Sequence, residues 1–361
     1  MPYTPSRRQV LGGLGAAVVT SALASTAKAE THLESREVDL GAGWRFALVN
    51  PDGVTDPDGR FADAANPAHD DSGWQLVDVP HDWSIELPPV ADGRTNSGSG
   101  FFRGGLGWYR KTFTLPPSAA GKRVSVEFDG VYSDAHVHVN GELLGHHPYA
   151  YTGFAFDLTG RLHTDGRTPN VLAVRATNPL PSSRWYSGSG IHRRVRLVVT
   201  EPVHVARHGT FVTTPGIAAG RGTVRVTTDV VNDSGAPVTA EVRTTVTDPA
   251  GRVAAKGRAT VTVPAGRTAT AVTTQTVADP RLWSTAEPAL YRVRTEVVGF
   301  DTTTTTFGFR HTEFHPDHGF SLNGVPMKLR GVNLHSSQGA LGAVIDPAAL
   351  EHQMRLMLAM G

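Results

Sequence analysis

Along most of the chain, apolar and polar residues alternate in short runs broken by Gly, Pro, Asn and Asp. A period of two puts every second side chain on one face, so the pattern predicts many short strands, each with one buried face. From Val38 to about Pro202 it predicts a β-sandwich or barrel. In "RVSVEFDGV", Val124, Val126 and Phe128 share a face. "AHVHVNGELLG" predicts a hairpin, because Val137 and Val139 lead into Asn140-Gly141, the pair that a two-residue type I′ turn favours. "NVLAVRATN" and "RRVRLVVTEP" add two more strands, and Pro202 ends the unit.

A second unit runs from about Val203 to Thr306, its Val- and Thr-rich strands spaced about ten residues apart. "GTVRVTTDVVND", "VTAEVRTTVTD", "GRVAAKGRATVTVPAG" and "YRVRTEVVG" suit a two-sheet sandwich of about 100 residues. It lacks the Cys pair and core Trp of antibody domains, so "immunoglobulin-like" names an architecture only. No side chains in it are grouped for chemistry.

From Phe307 the pattern changes. "GFSLNGVPMKLRGVNLH" predicts a strand, a tight Asn323-Gly324 turn and an apolar strand over Met327–Val332. "DPAALEHQMRLMLAMG" predicts a helix capped by Asp346, with Pro347 at the first helical position. Leu350, Met354, Met357 and Leu358 form one apolar stripe at helical spacing. Strand, loop and helix make one βα unit, which alone cannot bury both faces of its strand. The expectation is that residues 307–361 belong to something larger.

Composition narrows the function classes. With 39% hydrophobic and 19% charged residues, the 361-residue chain has material for two or three cores. Lys and Arg number 34 against 33 Asp and Glu, for a net charge of +1. No block of like charge favours nucleic acid or an anionic membrane surface as a partner. There is no cysteine, which excludes disulfides and thiolate-bound metal. At the N-terminus, Arg7 and Arg8 precede a weakly apolar run, Val10 to Leu23, and Ala27-Lys28-Ala29 has the small-x-small form of a cleavage site. The run is too short to span a bilayer, and the paired arginines resemble the twin-arginine export signal. Residues 1–29 are therefore expected to be a removed signal peptide, and the mature protein secreted or periplasmic.

Several segments together resemble family-2 glycoside hydrolases, in this order: "VDVPHDWSIE", "GWYRKTF", "FDGVYSDAHVHVNGELLGHHPYAYTGFAFDLT", "SRWYSGSGIHRRV", "PRLWS" with "PALYRV", and "FGFR…GFSLNGVPMKLRGVNLH". "PHDW" and "SRWYSGSGI" are most similar to the bacterial β-galactosidases of that family. The resemblance implies a mostly β chain: a signal peptide (1–29), a jelly-roll sugar-binding domain (30–202), an immunoglobulin-like β-sandwich (203–306) and the start of a catalytic (β/α)₈ TIM barrel (307–361). Such a barrel needs about 250 residues. It also implies a retaining enzyme with two carboxylates about 5–5.5 Å apart, one acting as acid/base and one as nucleophile. In the family the acid/base is the Glu of an Asn-Glu pair, and no Asn-Glu pair occurs here. Both catalytic Glu are thus expected beyond residue 361, and the chain as given is expected to be an inactive N-terminal fragment. The rival expectations are a secreted carbohydrate-binding or structural β-sandwich module, and a family-2 β-mannosidase or β-glucuronidase. A glucuronide enzyme needs a cationic anchor for the sugar carboxylate, and the site candidates offer no evident one.

Five positions are candidates for sugar contact, and in similar enzymes the first three below line or approach the sugar pocket. Asn333 and His335 fall at the end of the first barrel strand, and both side chains can donate and accept hydrogen bonds. Asp82 of "PHDW" can bind two adjacent hydroxyls, or its own turn backbone, with His81 and Trp83 as positioning residues. Trp185 can stack on the apolar face of a sugar ring, while Arg184 and Trp185 are equally a packing pair. The Gly188 and Gly190 pattern implies a tight backbone path. His136 and His138 share a strand face without an identifiable third ligand, which reads as a solvated face and no metal site. His146 and His147 read as loop residues before Pro148. Many similar enzymes hold Mg²⁺ or Na⁺ near the pocket, through ligands expected mostly outside this chain. A β-galactoside is the expected partner, and a homo-oligomer is left open.

Overall fold

The computed structural model describes residues 36–360. The expected export signal lies outside them. Strands dominate the described residues, with a single α-helix.

In the first unit a four-stranded sheet faces a six-stranded one. The four-stranded sheet runs Glu37–Asp39, Val195–Thr200, Arg123–Phe128, Phe154–Asp157. The six-stranded sheet runs Gln75–Val77, Trp44–Asn50, Gly105–Phe113, Asn170–Asn178, Ala135–Val139, Glu142–His147. All pairings are antiparallel. Val124, Val126 and Phe128 are buried as the alternation predicts, and they pack with Trp44, Tyr109, Leu172, Ile191 and Leu197 in one core. The hairpin forms where Asn140-Gly141 predicts it, with Val139 opposite Glu142. Asn140 (φ 50°) and Gly141 (φ 88°) both take the left-handed backbone that a type I′ turn requires. A second small cluster lies on the outer face of the six-stranded sheet, where Trp108 and Ala173 meet Ala64 and Trp74.

The second unit is also two sheets. One contains Val203–Ala218, Arg221–Asn232 and Arg267–Ala278; the other contains Val253–Val263, Val238–Thr247, Tyr291–Val297 and Asp301–Phe307. Val224, Val226 and Val230 are buried, with Thr228 on the same inward face, while Arg225 is exposed and Thr227 part-buried. Ion pairs join the two units: Arg36–Asp301 at 2.5 Å, Arg123–Asp233 at 3.0 Å and Arg207–Glu127 at 3.3 Å. Asp301 also accepts from Val205 N at 2.9 Å, which ties the junction to the backbone.

Beyond Phe307, Thr312–His315, Gly319–Leu322 and Val325–Pro326 make a small three-stranded sheet. The strand expected over Met327–Val332 does not form. A strand is held by a hydrogen-bonded neighbour along its length, and the small sheet ends at Val325–Pro326, with Met327 N still donating to Phe320 O at 3.0 Å. Leu329 and Val332 are left 66% and 68% exposed. The helix α1 (Pro347–Ala359) does form, with Asp346 accepting from Ala349 N at 2.8 Å and Pro347 in its first turn. Along its apolar stripe Leu350 and Met357 are part-buried and Met354 and Leu358 exposed, and no residue of the helix is fully buried. Of the expected βα unit, only the helical half is built.

Candidate functional site

The "PHDW" loop enters the first core. Trp83 is 1% exposed, stacks on Phe46 at 5.5 Å and donates its indole N–H to Gly104 O at 2.7 Å. His81 lies between two partners: Nε2 is 3.1 Å from Glu86 Oε1, and Nδ1 is 2.7 Å from the Tyr109 hydroxyl. A carboxylate only accepts, so Nε2–H donates and Nδ1 takes the Tyr109 proton. Burial holds the His81 pKa down, against the upward pull of Glu86, which favours this neutral ring.

Asp82 sits between these two residues and is 2% exposed. Its Oδ1 accepts from Ser84 N at 3.0 Å and Ser189 N at 2.8 Å. Its Oδ2 accepts from the Tyr186 hydroxyl at 2.6 Å and Ala343 N at 2.8 Å. Burial first, and then the Asp82 charge, push the Tyr186 phenol far above its ordinary pKa, so it remains a donor. The expectation that Asp82 binds two adjacent sugar hydroxyls meets a carboxylate whose oxygens are already taken and screened from water. In this arrangement Asp82 clamps three chain segments: its own loop, residues 186–189, and the loop that leads to α1.

The tight backbone path expected from the glycine pattern has a direct cause. A Cβ on Gly188 would meet Ala343 Cβ and Asp82 Oδ2, and one on Gly342 would meet the same Asp82 oxygen. Both have left-handed backbone, φ 65° and 62°. Asn178 adds a second brace, donating to Gly188 O at 3.0 Å and Ser189 Oγ at 2.8 Å. A backbone strap from Ile345 N to His192 O at 3.0 Å completes the join.

Above this clamp lies an exposed aromatic surface. Trp185 is 37% exposed, and its ring lies 4.9 Å from that of His335, tilted by 32°. Its indole N–H donates to the Tyr151 hydroxyl at 3.2 Å, and Tyr151 in turn meets Tyr149, which is 58% exposed. Two of the predicted contacts, Trp185 and His335, are therefore brought together across 150 residues of sequence. Asn333 is exposed and makes no hydrogen bond among the described residues. Arg184 does not stack on Trp185, since neither described cation–π pair involves it, and its exposed guanidinium has no described partner. Among the described residues it is thus an exposed cation without a partner, next in sequence to Trp185. Tyr151, Tyr186 and Ala343 were not candidates; Gly188, two residues after Tyr186, and Gly342, beside Ala343, are the nearest sequence signals.

The histidines also differ from expectation. His146 and His147 end a strand, Glu142–His147, and are not loop residues. His138 is half-buried against Trp108 at 5.6 Å, and burial lowers its pKa, so its face is not simply solvated. Beside His136 stand Asp134 and His146, so a third group with ligand chemistry is present after all. The junction between the two units holds a polar cleft of about 590 Å³ lined by Arg36, Glu127, Arg196 and Arg207. Its charges are spent on ion pairs with one another and with Asp301.

Residues 39–202 match the family profile described as "Glycosyl hydrolases family 2, sugar binding domain", and residues 203–310 match "Glycosyl hydrolases family 2". The chain is 39% identical to a beta-galactosidase of Bacteroides ovatus over 90% of its length, which is 37% of that relative. It is 32% identical to a putative beta-glucuronidase of Formosa agariphila, covering 92% of the chain and 30% of that protein. Among solved structures, a glycosyl hydrolase family 2 member from Bacteroides cellulosilyticus superposes with TM-score 0.83 at 34% identity, over 91% of this chain and 42% of that one. The chain thus spans 37% and 30% of the length of these two curated relatives.

Proposed function

Because the chain belongs to glycosyl hydrolase family 2, we propose that it supplies the sugar-facing wall of a retaining β-glycosidase acting on terminal β-D-galactosides. The observation that carries this reading is the exposed Trp185–His335 pair, held by the Asp82 clamp where the first sandwich meets the segment before α1. An indole face suits the apolar face of a pyranose, and the imidazole edge suits its hydroxyls. Trp185, His335, Asn333 and Arg184 contact sugar in this reading, and Asp82 positions them. The finer architecture belongs to the same proposal: a jelly roll, an immunoglobulin-like sandwich and the opening of a (β/α)₈ barrel.

Retaining hydrolysis needs two free carboxylates about 5–5.5 Å apart. Asp82 is committed to four donors and is neither of these, and in this reading the part the chain plays is binding. The complete enzyme carrying it, assayed on aryl β-glycosides, should prefer the β-galactoside by at least about tenfold in kcat/KM. One observation favours a second reading: the free Arg184 guanidinium would suit the carboxylate of a β-glucuronide. A reversed order, lost in Arg184→Ala, would establish that reading instead. Enzymatic turnover by the 361-residue chain alone would refute the division of labour. Export by the twin-arginine route is part of the proposal, and Arg7→Lys with Arg8→Lys should leave the protein in the cytoplasm.

A further inference from the structure

We propose that Asp134, His136 and His146 form a binding site for a zinc-type divalent transition metal. Each offers one ligand atom, and these atoms all lie within 4.8 Å of one another. The pairing of two antiparallel strands sets this up: His136 is directly opposite His146, so both side chains leave the same face, and their rings stack at 4.4 Å. Asp134 precedes the first strand in left-handed backbone, φ 50°, which a short polar side chain tolerates. That turn brings its Oδ1 to 2.5 Å from His146 Nε2.

The surrounding bonds resemble those that orient metal ligands. His136 Nδ1 donates to Asp134 O at 3.2 Å, which fixes the ring and leaves the Nε2 lone pair free. Asp134 Oδ2 accepts from Thr177 Oγ1 at 3.4 Å. Two imidazoles with one carboxylate select zinc, nickel or copper over magnesium and calcium, which prefer all-oxygen sites. Tetrahedral zinc at these bond lengths needs ligand atoms about 3.3 Å apart, so the half-exposed rings must turn inward, and water completes the shell. The site would also brace the aromatic loop, because Asp134 N donates to Pro148 O at 3.3 Å, directly before Tyr149.

The test is titration of the tag-free, chelator-stripped 361-residue chain with zinc chloride, read by calorimetry and by thermal shift. One saturable equivalent is expected, with a rise in Tm. His136→Ala and His146→Ala should each weaken binding by at least about tenfold. Asp134→Asn keeps an acceptor for Thr177 while removing the charge, so it separates ligand loss from local unfolding, which circular dichroism of the metal-free variants checks. A control, His315→Ala with His318→Ala, removes the other stacked exposed histidine pair and should leave the affinity unchanged. Unaltered affinity in the His136/His146 double variant, no saturable binding, or an equal response to magnesium would each overturn the site and leave an Asp134–His146 ion pair.

Discussion

At Asp82 the donors divide evenly, two backbone N–H groups on Oδ1 and one backbone N–H with one phenol on Oδ2. Asp82→Asn turns one of those oxygens into a donor facing donors. The expected cost is about 2–4 kcal/mol in urea unfolding of the chain, since a buried, hydrogen-bonded charge is lost and its partners are orphaned. A carboxylate whose only task was sugar contact would leave that stability unchanged. His192 presents the opposite condition. It is 1% exposed and neither ring nitrogen has a partner among the described residues. Burial first, and Arg193 second, hold its pKa down to about 4, from an ordinary 6.5. The folded pKa lies below the unfolded one, so above pH 6.5 both states are neutral and nothing is lost. As pH falls from 6.5 towards 4, the unfolded chain takes up a proton that the folded chain refuses. Between pH 7 and pH 4.5 the protein should lose about 2–3 kcal/mol of stability from this group. His192→Gln should remove that part of the acid sensitivity, and an identical pH slope in the variant would show that another group is responsible.

The helix α1 fully buries no side chain, so local interactions carry much of its stability. These are the Asp346 cap, Pro347 in the first turn and the Glu351–Arg355 pair at 2.5 Å. Asp346→Ala should therefore cost about 1 kcal/mol of local helix stability. Amide exchange over residues 348–352 would report it as roughly fivefold faster exchange, and unchanged protection would mean the cap is idle. The neighbouring segment shows the contrasting case. Met327–Val332 has the apolar character of a buried strand, but a strand completes its backbone bonds on another chain segment, whereas a helix completes them internally. The helical pattern therefore produced its element alone, and the strand pattern did not. The hairpin at Asn140-Gly141 formed because its partner strand lies two residues away.

Across the whole molecule, apolar side chains of the last segment remain in water: Leu329, Val332 and Leu334, then Met354 at 61%, Leu358 at 83% and Met360 at 86% exposed. A face of this kind should bind a hydrophobic dye or drive self-association, and Met354→Lys with Leu358→Lys should lower dye fluorescence at least about twofold. Light scattering on the same samples would separate dye binding from association, and an unchanged signal in the variant would locate the sticky surface elsewhere. The sandwiches were legible in the sequence because alternation, Asn-Gly turns and capping residues act over a few positions, where chain geometry leaves little freedom. Of the candidate site residues legible by type, Trp185 and His335 meet across the fold. Their surroundings were not legible. Asp82 and Ala343 are 261 positions apart, and no local period encodes that a carboxylate will find that amide. Nor does it encode that Asp134, His136 and His146 converge, because strand register and a left-handed turn put them together. The sequence by itself determined most of the sandwich strands, the Asn-Gly turn and the helix; the tertiary path decided whether Met327–Val332 found a partner strand and which polar groups are consumed in bracing the site. That division follows from hydrogen bonding: a buried donor or acceptor must be satisfied by whatever the fold brings within about 3 Å.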